Sequence, residues 1–193
     1  MKDYDGILVP GGFGETGIEG IIDVIKYARE NKIPYFGICY GMQLMVIEYA
    51  RHVAKLSGAH TAEINPDAKH VVIDIMPEQK ELMKNKNYGG TMRLGSYPAV
   101  LKRGTIARKA YGVMEIEERH RHRFEVNPEY IARLQEAGLV FSGTSPDHRL
   151  MEIAELPKEE HPFFVGVQFH PEFQARPLSP HPVFSEFVKA SLK

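Results

Sequence analysis

The chain opens with two short apolar runs. Each run is followed by a glycine-containing turn and then by a helical repeat of apolar residues. The first pair comprises the run at residues 6–9 and a helix whose apolar positions recur from Ile18 to Ala28. The second comprises the run at residues 33–38 and a mostly uncharged helix from residue 42 to about residue 53, which we expect to be buried. Strand and helix in this alternation predict βαβ units, and therefore a parallel sheet covered by helices on both faces.

The chain after residue 58 shows a different pattern, with a long polar connection, a glycine-rich stretch at residues 88–95 and little helical signal. No internal repeat or linker divides the 193 residues. We therefore predict one three-layer α/β domain with a mostly parallel sheet and additional antiparallel strands late in the chain. The predicted later strands are residues 70–75, 139–142, 150–156 and 163–169, and the predicted later helices are residues 128–137 and 182–192.

Composition excludes several classes of function. Lys and Arg number 24 against 25 Asp and Glu, so the formal charge of −1 gives no general electrostatic reason to bind nucleic acid or an anionic membrane. The longest uncharged stretch, residues 33–47, is too short for a membrane span of ~20 residues. The single cysteine, Cys39, rules out an internal disulfide, and the N-terminus is acidic where a signal peptide is basic. We expect a cytoplasmic protein with neither nucleic acid nor membrane as partner.

The segment Gly-Ile-Cys-Tyr-Gly at residues 37–41 lies where an apolar strand meets a helix, the arrangement of a nucleophile elbow. Glycine two residues before and two after Cys39 lets the neighbouring backbone pass without a clashing Cβ. A helix N-terminus also favours a thiolate over a thiol. Cys39 is therefore a candidate nucleophile, and the alternative is a buried cysteine that packs as a small apolar residue.

A cysteine nucleophile needs a base, and His170 is the candidate because it ends the apolar run at residues 163–169. Glu172 follows two positions later and can hold the imidazole in one tautomer. The alternative is a strand-terminal histidine paired with a surface acid.

The glycine-rich turn at residues 10–14 directly follows the first strand and offers backbone N–H groups to an oxyanion. The amide of Tyr40, next after the nucleophile, offers a second donor. A tight turn or a phosphate cradle is the alternative, although the Gly-Lys-Ser/Thr ending of a Walker loop is absent.

Basic residues alternate within residues 118–125. A nucleic-acid patch and a metal site through His120 and His122 are both disfavoured, because acids flank the segment and no further His/Cys cluster completes a metal shell. We interpret the segment as a solvated strand. One of its arginines can bind a substrate carboxylate through a two-pronged hydrogen bond. We predict no metal site.

Three of these motifs, at residues 11–14, 37–43 and 169–172, resemble in their order those of the triad-type (class I) glutamine amidotransferases. Within that class, residues 89–95, 118–127 and 163–173 are similar to the glutaminase domain of the CTP synthase family. The resemblance runs from Tyr4 almost to the C-terminus, and it implies a flavodoxin-like fold in a single glutaminase domain over residues 1–193.

The resemblance implies hydrolysis of L-glutamine to glutamate and ammonia through a glutamyl thioester. Cys39 is then the nucleophile, His170 the acid and base, and Glu172 the residue that orients His170. The oxyanion donors implied are the amides of Gly12 and Tyr40. The residues implied to bind glutamine are Gly12, Gln43, Glu63 for the ammonium and Arg123 for the carboxylate.

The family passes its ammonia to a synthetase domain that aminates UTP with ATP and Mg²⁺, so no cofactor is expected within the glutaminase domain. The expected partners are L-glutamine, a synthetase domain in the same or a separate chain, and further copies in a homo-oligomer. The synthetase domain and the first strand-helix unit of the glutaminase domain have no counterpart here, so we expect an N-terminally truncated domain. Thr16 replaces an arginine in a loop linked to allosteric activation by GTP, so an altered GTP response is expected. Tyr40 replaces the usual leucine.

Two other functions stay open at this point. One is a stand-alone cysteine hydrolase on the same fold, such as a γ-glutamyl hydrolase or a deglycase-like protein. The other is a non-catalytic regulatory or assembly module.

Overall fold

A computed structural model describes residues 4–75 and 92–192 of the chain, so residues 88–91 of the predicted glycine-rich stretch lie outside the described residues. The described strands are β1 (Ile7–Val9), β2 (Tyr35–Ile38), β3 (Ala59–Thr61), β4 (His70–Ile75), β5 (Arg93–Leu101), β6 (Glu115–His122), β7 (Phe124–Val126), β8 (Val140–Thr144), β9 (Met151–Glu155) and β10 (Phe164–Val167). The described helices are α1 (Ile18–Glu30), α2 (Tyr40–His52), α3 (Ile106–Tyr111), α4 (Pro128–Glu136) and α5 (Pro182–Ser191), together with a short 3₁₀ helix at Pro171–Phe173.

Strands β1, β2 and β10 form the parallel part of a seven-stranded sheet. Val9 of β1 lies opposite Gly37 of β2, and Ile38 of β2 lies opposite Val167 of β10. The loops that follow these three strands therefore leave the sheet at the same edge. In α/β proteins the crevice at this edge is where ligands bind.

The rest of this sheet is antiparallel, in the order β10-β9-β8-β5-β6. Parallel pairing in the seven-stranded sheet is thus confined to β1, β2 and β10, which is less than the sequence predicted. The reason is that β8, β9 and β10 follow one another through short connections, which join antiparallel neighbours. The predicted mixed α/β fold with additional antiparallel strands is confirmed.

Helices cover both faces of the sheet. Along β2, Tyr35 faces a core shared with α1 and α2, whereas Phe36 and Ile38 face a second core shared with α3 and α5. Helix α2 is buried from Tyr40 to Ala50 because it lies between the main sheet and a second, three-stranded sheet of β3, β4 and β7. The prediction of a buried second helix is therefore confirmed.

Strand β6 corrects the expectation that residues 118–125 form a solvated strand. Alternate residues of β6 are exposed, but Glu118, His120 and His122 point inward and are buried. Strands β3 and β5 and helix α3 were not predicted. No helix within residues 4–75 and 92–192 is long and apolar enough to cross a bilayer.

Candidate active site

Cys39 lies at the turn between β2 and α2 with a positive φ of 48°. Such a conformation strains any residue other than glycine, by roughly 1–3 kcal/mol. The turn also excludes side chains on both flanks: a Cβ on Gly37 would lie 2.6 Å from the carbonyl carbon of Gly41, and a Cβ on Gly41 would lie 2.4 Å from the carbonyl oxygen of Val9. The backbone therefore forms the predicted elbow and requires glycine at both flanking positions.

Cys39 is only 5% exposed. Burial raises the pKa of this thiol to about 12, and the nearby carboxylates of Glu125 and Glu172 act in the same direction. Hydrogen bonds from the Tyr40 amide and the Gln168 side chain lower the pKa of the thiol by less. The sequence predicted that the helix N-terminus would favour a thiolate, but burial outweighs it. Without substrate, Cys39 is therefore a neutral thiol near pH 7.

His170 follows β10, and its two ring nitrogens have different surroundings. Nδ1 lies 2.6 Å from Oε1 of Glu172, whereas Nε2 is buried and has no hydrogen-bond partner in the described part of the chain. A Cβ on Gly11 would lie 2.9 Å from Cε1 of His170 and 3.9 Å from Cβ of Cys39, so Gly11 lies against both side chains. Because Glu172 engages Nδ1, Nε2 is the nitrogen that can exchange a proton with a group in the site.

A cavity of about 620 Å³ opens over Cys39 and His170. This volume lies within the range of small-molecule sites, roughly 300–1,000 Å³. The predicted site residues that line it are Gly12, Cys39, Gln43, Glu63, Arg123, His170 and Glu172. Tyr40 is not among the lining residues, and its hydroxyl donates a hydrogen bond to the carbonyl of Gly14.

The predicted substrate-binding residues differ in how far the protein already engages them. Gln43 donates from Nε2 to the carbonyl of Phe124 at 3.0 Å, and Glu63 accepts from the amide of Gly14 at 3.0 Å. Arg123 is half-buried, and its Nε has no hydrogen-bond partner among the described residues. A buried N–H group without a partner is costly, so Arg123 is suited to an anionic ligand.

Residues 1–190 match the family model "Glutamine amidotransferase class-I". The chain belongs to the class I glutamine amidotransferases. Over its full length this amidotransferase is 58% identical to a CTP synthase of Geobacillus kaustophilus and 59% identical to one of Carboxydothermus hydrogenoformans, and it spans 35% of the length of each.

A solved structure shows the same relationship. The glutaminase domain of Trypanosoma brucei CTPS, determined with bound acivicin, matches the amidotransferase with a TM-score of 0.89 and 39% identity. The match covers 97% of this chain and 70% of that one. The predicted resemblance to the glutaminase domain of the CTP synthase family is therefore confirmed.

Sequence reasoning missed one residue of the amidotransferase site, Gln168. The pairing of Ile38 with Val167 brings the residues that directly follow the two strands, Cys39 and Gln168, side by side. Gln168 is fully buried, with Nε2 3.6 Å from Sγ of Cys39 and Oε1 3.4 Å from Nε2 of Gln43. Its position two residues before His170, near the end of the predicted strand at residues 163–169, was the available signal, because alternate residues along a strand lie on the same face.

A buried charged cluster lies behind the amidotransferase cavity, which His122 also lines. Arg93 lies 2.7 Å from Glu152 and 3.6 Å from Glu125. Burial raises the pKa of both carboxyl groups, and it lowers the pKa of His120 to about 2 and that of His122 to about 3. Arg93 is therefore the positive charge that the two glutamates share.

The described residues offer no site for a metal ion. Within residues 4–75 and 92–192, no group of three or more His, Cys, Asp or Glu side chains has the arrangement that would hold one.

Proposed function

We propose that this amidotransferase domain hydrolyses L-glutamine to glutamate and ammonia. The observation that carries the proposal is the arrangement of His170, with Nδ1 held by Glu172 and Nε2 buried without a partner beside the cavity that Cys39 lines. A base oriented through one nitrogen, with the other directed to the chemistry, is the arrangement that activates a nucleophile in acyl transfer.

The first half-reaction starts from the neutral thiol. As Sγ of Cys39 bonds to the side-chain amide carbon of glutamine, the thiol proton moves to Nε2 of His170. The same proton then passes to the amide nitrogen, the C–N bond breaks and ammonia leaves. The product is a glutamyl thioester on Cys39. Transfer of the proton during attack is required because burial raises the pKa of the thiol to about 12.

The second half-reaction uses water. A water molecule loses a proton to Nε2 of His170 and bonds to the thioester carbon, and the C–S bond then breaks. The proton returns to Sγ, which restores the thiol and releases glutamate. The amides of Gly12 and Tyr40 stabilise the oxyanion in both halves, and in comparable sites one such donor contributes ~3 kcal/mol to lowering the barrier.

Charge complementarity supports glutamine as the substrate. A free amino acid carries one ammonium and one carboxylate, and the cavity offers Glu63 for the first and Arg123 for the second. Gln43 lines the same cavity and contacts the buried Gln168 at 3.4 Å, so its amide can bind a polar group of the substrate.

We further propose that the ammonia serves CTP synthesis, because the relatives that match over the whole chain are CTP synthases. In this proposal a synthetase domain aminates UTP with ATP and Mg²⁺, in a longer chain or as a separate subunit of a homo-oligomer. The glutaminase steps themselves need no metal or cofactor, and GTP acts as an allosteric activator whose effect Thr16 alters. A reduced Cys39 fits the cytoplasm.

Ammonia release from glutamine by the purified chain tests the proposal. Cys39→Ala and His170→Gln should each lower the rate by a factor of at least about 10³. The matched control is His161→Gln, a buried histidine that contacts Ala28 rather than the cavity, and its rate should stay within about twofold of wild type. Activity that survives in Cys39→Ala, or a preference for glutamyl peptides over glutamine, would contradict the proposal.

The link to CTP synthesis has its own test. An added synthetase domain with UTP, ATP and Mg²⁺ should give CTP from glutamine, and Cys39→Ala should restrict CTP formation to free ammonia. Loss of both routes in Cys39→Ala would contradict separate sites for the two reactions.

A further inference from the structure

The turn formed by residues 11–14 has little structure of its own. Its residues are exposed except for the half-buried Gly14, and Phe13 is 88% exposed. Within the described part of the chain, these four residues take no backbone–backbone hydrogen bond. The turn is therefore held in place by side chains from elsewhere in the fold.

Both hydrogen bonds that hold the turn meet at Gly14. The amide of Gly14 donates to Oε1 of Glu63 at 3.0 Å, and its carbonyl accepts from the hydroxyl of Tyr40. The ring of Tyr40 also covers Gly12, since a Cβ there would lie 3.3 Å from Cδ1 of the ring. Tyr40 thus contacts the turn at two points.

We propose that the Tyr40 side chain positions this turn for the reaction, a role separate from that of its backbone amide. The inference rests on the proposed glutaminase function. In that function, the amides of Gly12 and Tyr40 must converge on one oxyanion. The side chain of Tyr40 runs from its own backbone to the turn, so a rigid aromatic ring fixes the separation of the two donors. An oxyanion hole requires donors that are placed before the reaction begins.

Tyr40→Phe tests this role, because it removes the hydroxyl and keeps both the ring and the backbone amide. The matched control is Tyr49→Phe on the same helix, where the lost hydrogen bond runs from a buried hydroxyl to the carbonyl of Ala137 at 2.7 Å, away from the cavity. Both variants lose one hydroxyl–carbonyl bond, so an equal loss of stability is expected in both.

The readouts separate positioning from stability. In Tyr40→Phe, the backbone ¹⁵N order parameters of Gly11, Gly12 and Gly14 should fall from the rigid value of about 0.85 to below ~0.6. Tyr49→Phe should leave these order parameters unchanged. The kcat for glutamine should fall about fivefold in Tyr40→Phe with KM unchanged. Alkylation of Cys39 by iodoacetamide needs no oxyanion hole and should keep its wild-type rate.

Unchanged order parameters in Tyr40→Phe, or lowered ones with an unchanged kcat, would overturn the positioning role. An equal fall of kcat in Tyr49→Phe would also overturn it, because the effect would then follow stability. The order parameters require no turnover, so they test the turn even if wild-type chain releases no ammonia. A wild-type chain that releases no ammonia would refute the glutaminase proposal, but it would not bear on the positioning of the turn.

Discussion

Replacing Arg93 by methionine should destabilise the protein by an amount that grows with pH. Arg93 is 8% exposed and provides the positive charge between Glu152 at 2.7 Å and Glu125 at 3.6 Å. Removal of one partner from a buried ion pair costs about 3–5 kcal/mol, because an uncompensated charge stays buried. Methionine keeps the apolar stem, so the change acts mainly on charge.

The pH dependence follows from the two carboxyl groups. Burial already raises the pKa of Glu125 and Glu152, and Arg93 opposes that rise, so Arg93→Met raises both further. The wild-type folded state already keeps protons that the unfolded state loses above about pH 4.3, and the variant keeps them to a higher pH, so the stability of the variant relative to wild type falls as pH rises between the two folded pKa values. For one additional retained proton, this relative loss grows by ~1.4 kcal/mol per pH unit between those two folded pKa values, so we expect a larger loss at about pH 7 than at about pH 5.

Urea denaturation followed by far-UV circular dichroism measures this difference at the two pH values. Lys189→Met removes an exposed pair with Glu186 and should cost less than ~1 kcal/mol at either pH. Adding Glu125→Gln and Glu152→Gln to Arg93→Met should recover most of the stability, because no charge then stays unpaired. A loss in Arg93→Met that is equal at both pH values would refute the reasoning.

Two further predictions concern the elbow and the substrate. Gly41→Ala should destabilise the chain by about 3 kcal/mol or more in thermal unfolding, because its Cβ would lie 2.4 Å from the carbonyl oxygen of Val9. The control is Gly20→Ala in α1, where a Cβ would meet open space, and this variant should be neutral or more stable by up to ~1 kcal/mol. A tolerated Gly41→Ala would mean that the elbow can relax. Arg123→Lys should raise KM for glutamine by roughly 10-fold or more with little change in kcat, because lysine cannot make the two-pronged contact with a carboxylate; an unchanged KM would contradict that role.

The first part of the fold was predictable because local signals and tertiary packing agree there. The short apolar run of β2 and the flanking glycines of Cys39 predict one strand-turn-helix unit, and the apolar repeat of α1 predicts the helix that precedes it. The ends of β2 and β10 then place Cys39 and His170 together because the two strands are parallel neighbours.

The pairing of β5 with β6 was not predictable from apolar periodicity. Strand β5 contains Gly95 and Pro98, which ordinarily argue against a strand. The structure tolerates Pro98 because β8 pairs only with the end of β5, at Val100 and Leu101. Strand β6 buries Glu118, His120 and His122 in place of apolar residues, so its alternation of inward and outward positions is concealed in the sequence.

Gln168 was missed for a related reason. Its amide lies beside Cys39 only because Val167 pairs with Ile38, and this register involves residues more than a hundred positions apart in the chain. The cluster around Arg93 likewise assembles from β5, β6, β9 and the start of β7, so no local segment contains its pattern.

The positive φ of Cys39 puts the role proposed for this residue in conflict with the stability of the protein. Glycine is the residue that relaxes this backbone, so Cys39→Gly recovers part of the ~1–3 kcal/mol of strain while it removes the reactive sulfur. A substitution that removes the sulfur at this position therefore also relieves backbone strain in the folded state. Directed evolution of this chain for heat resistance alone will favour inactive descendants, and only a screen that also demands turnover will retain Cys39.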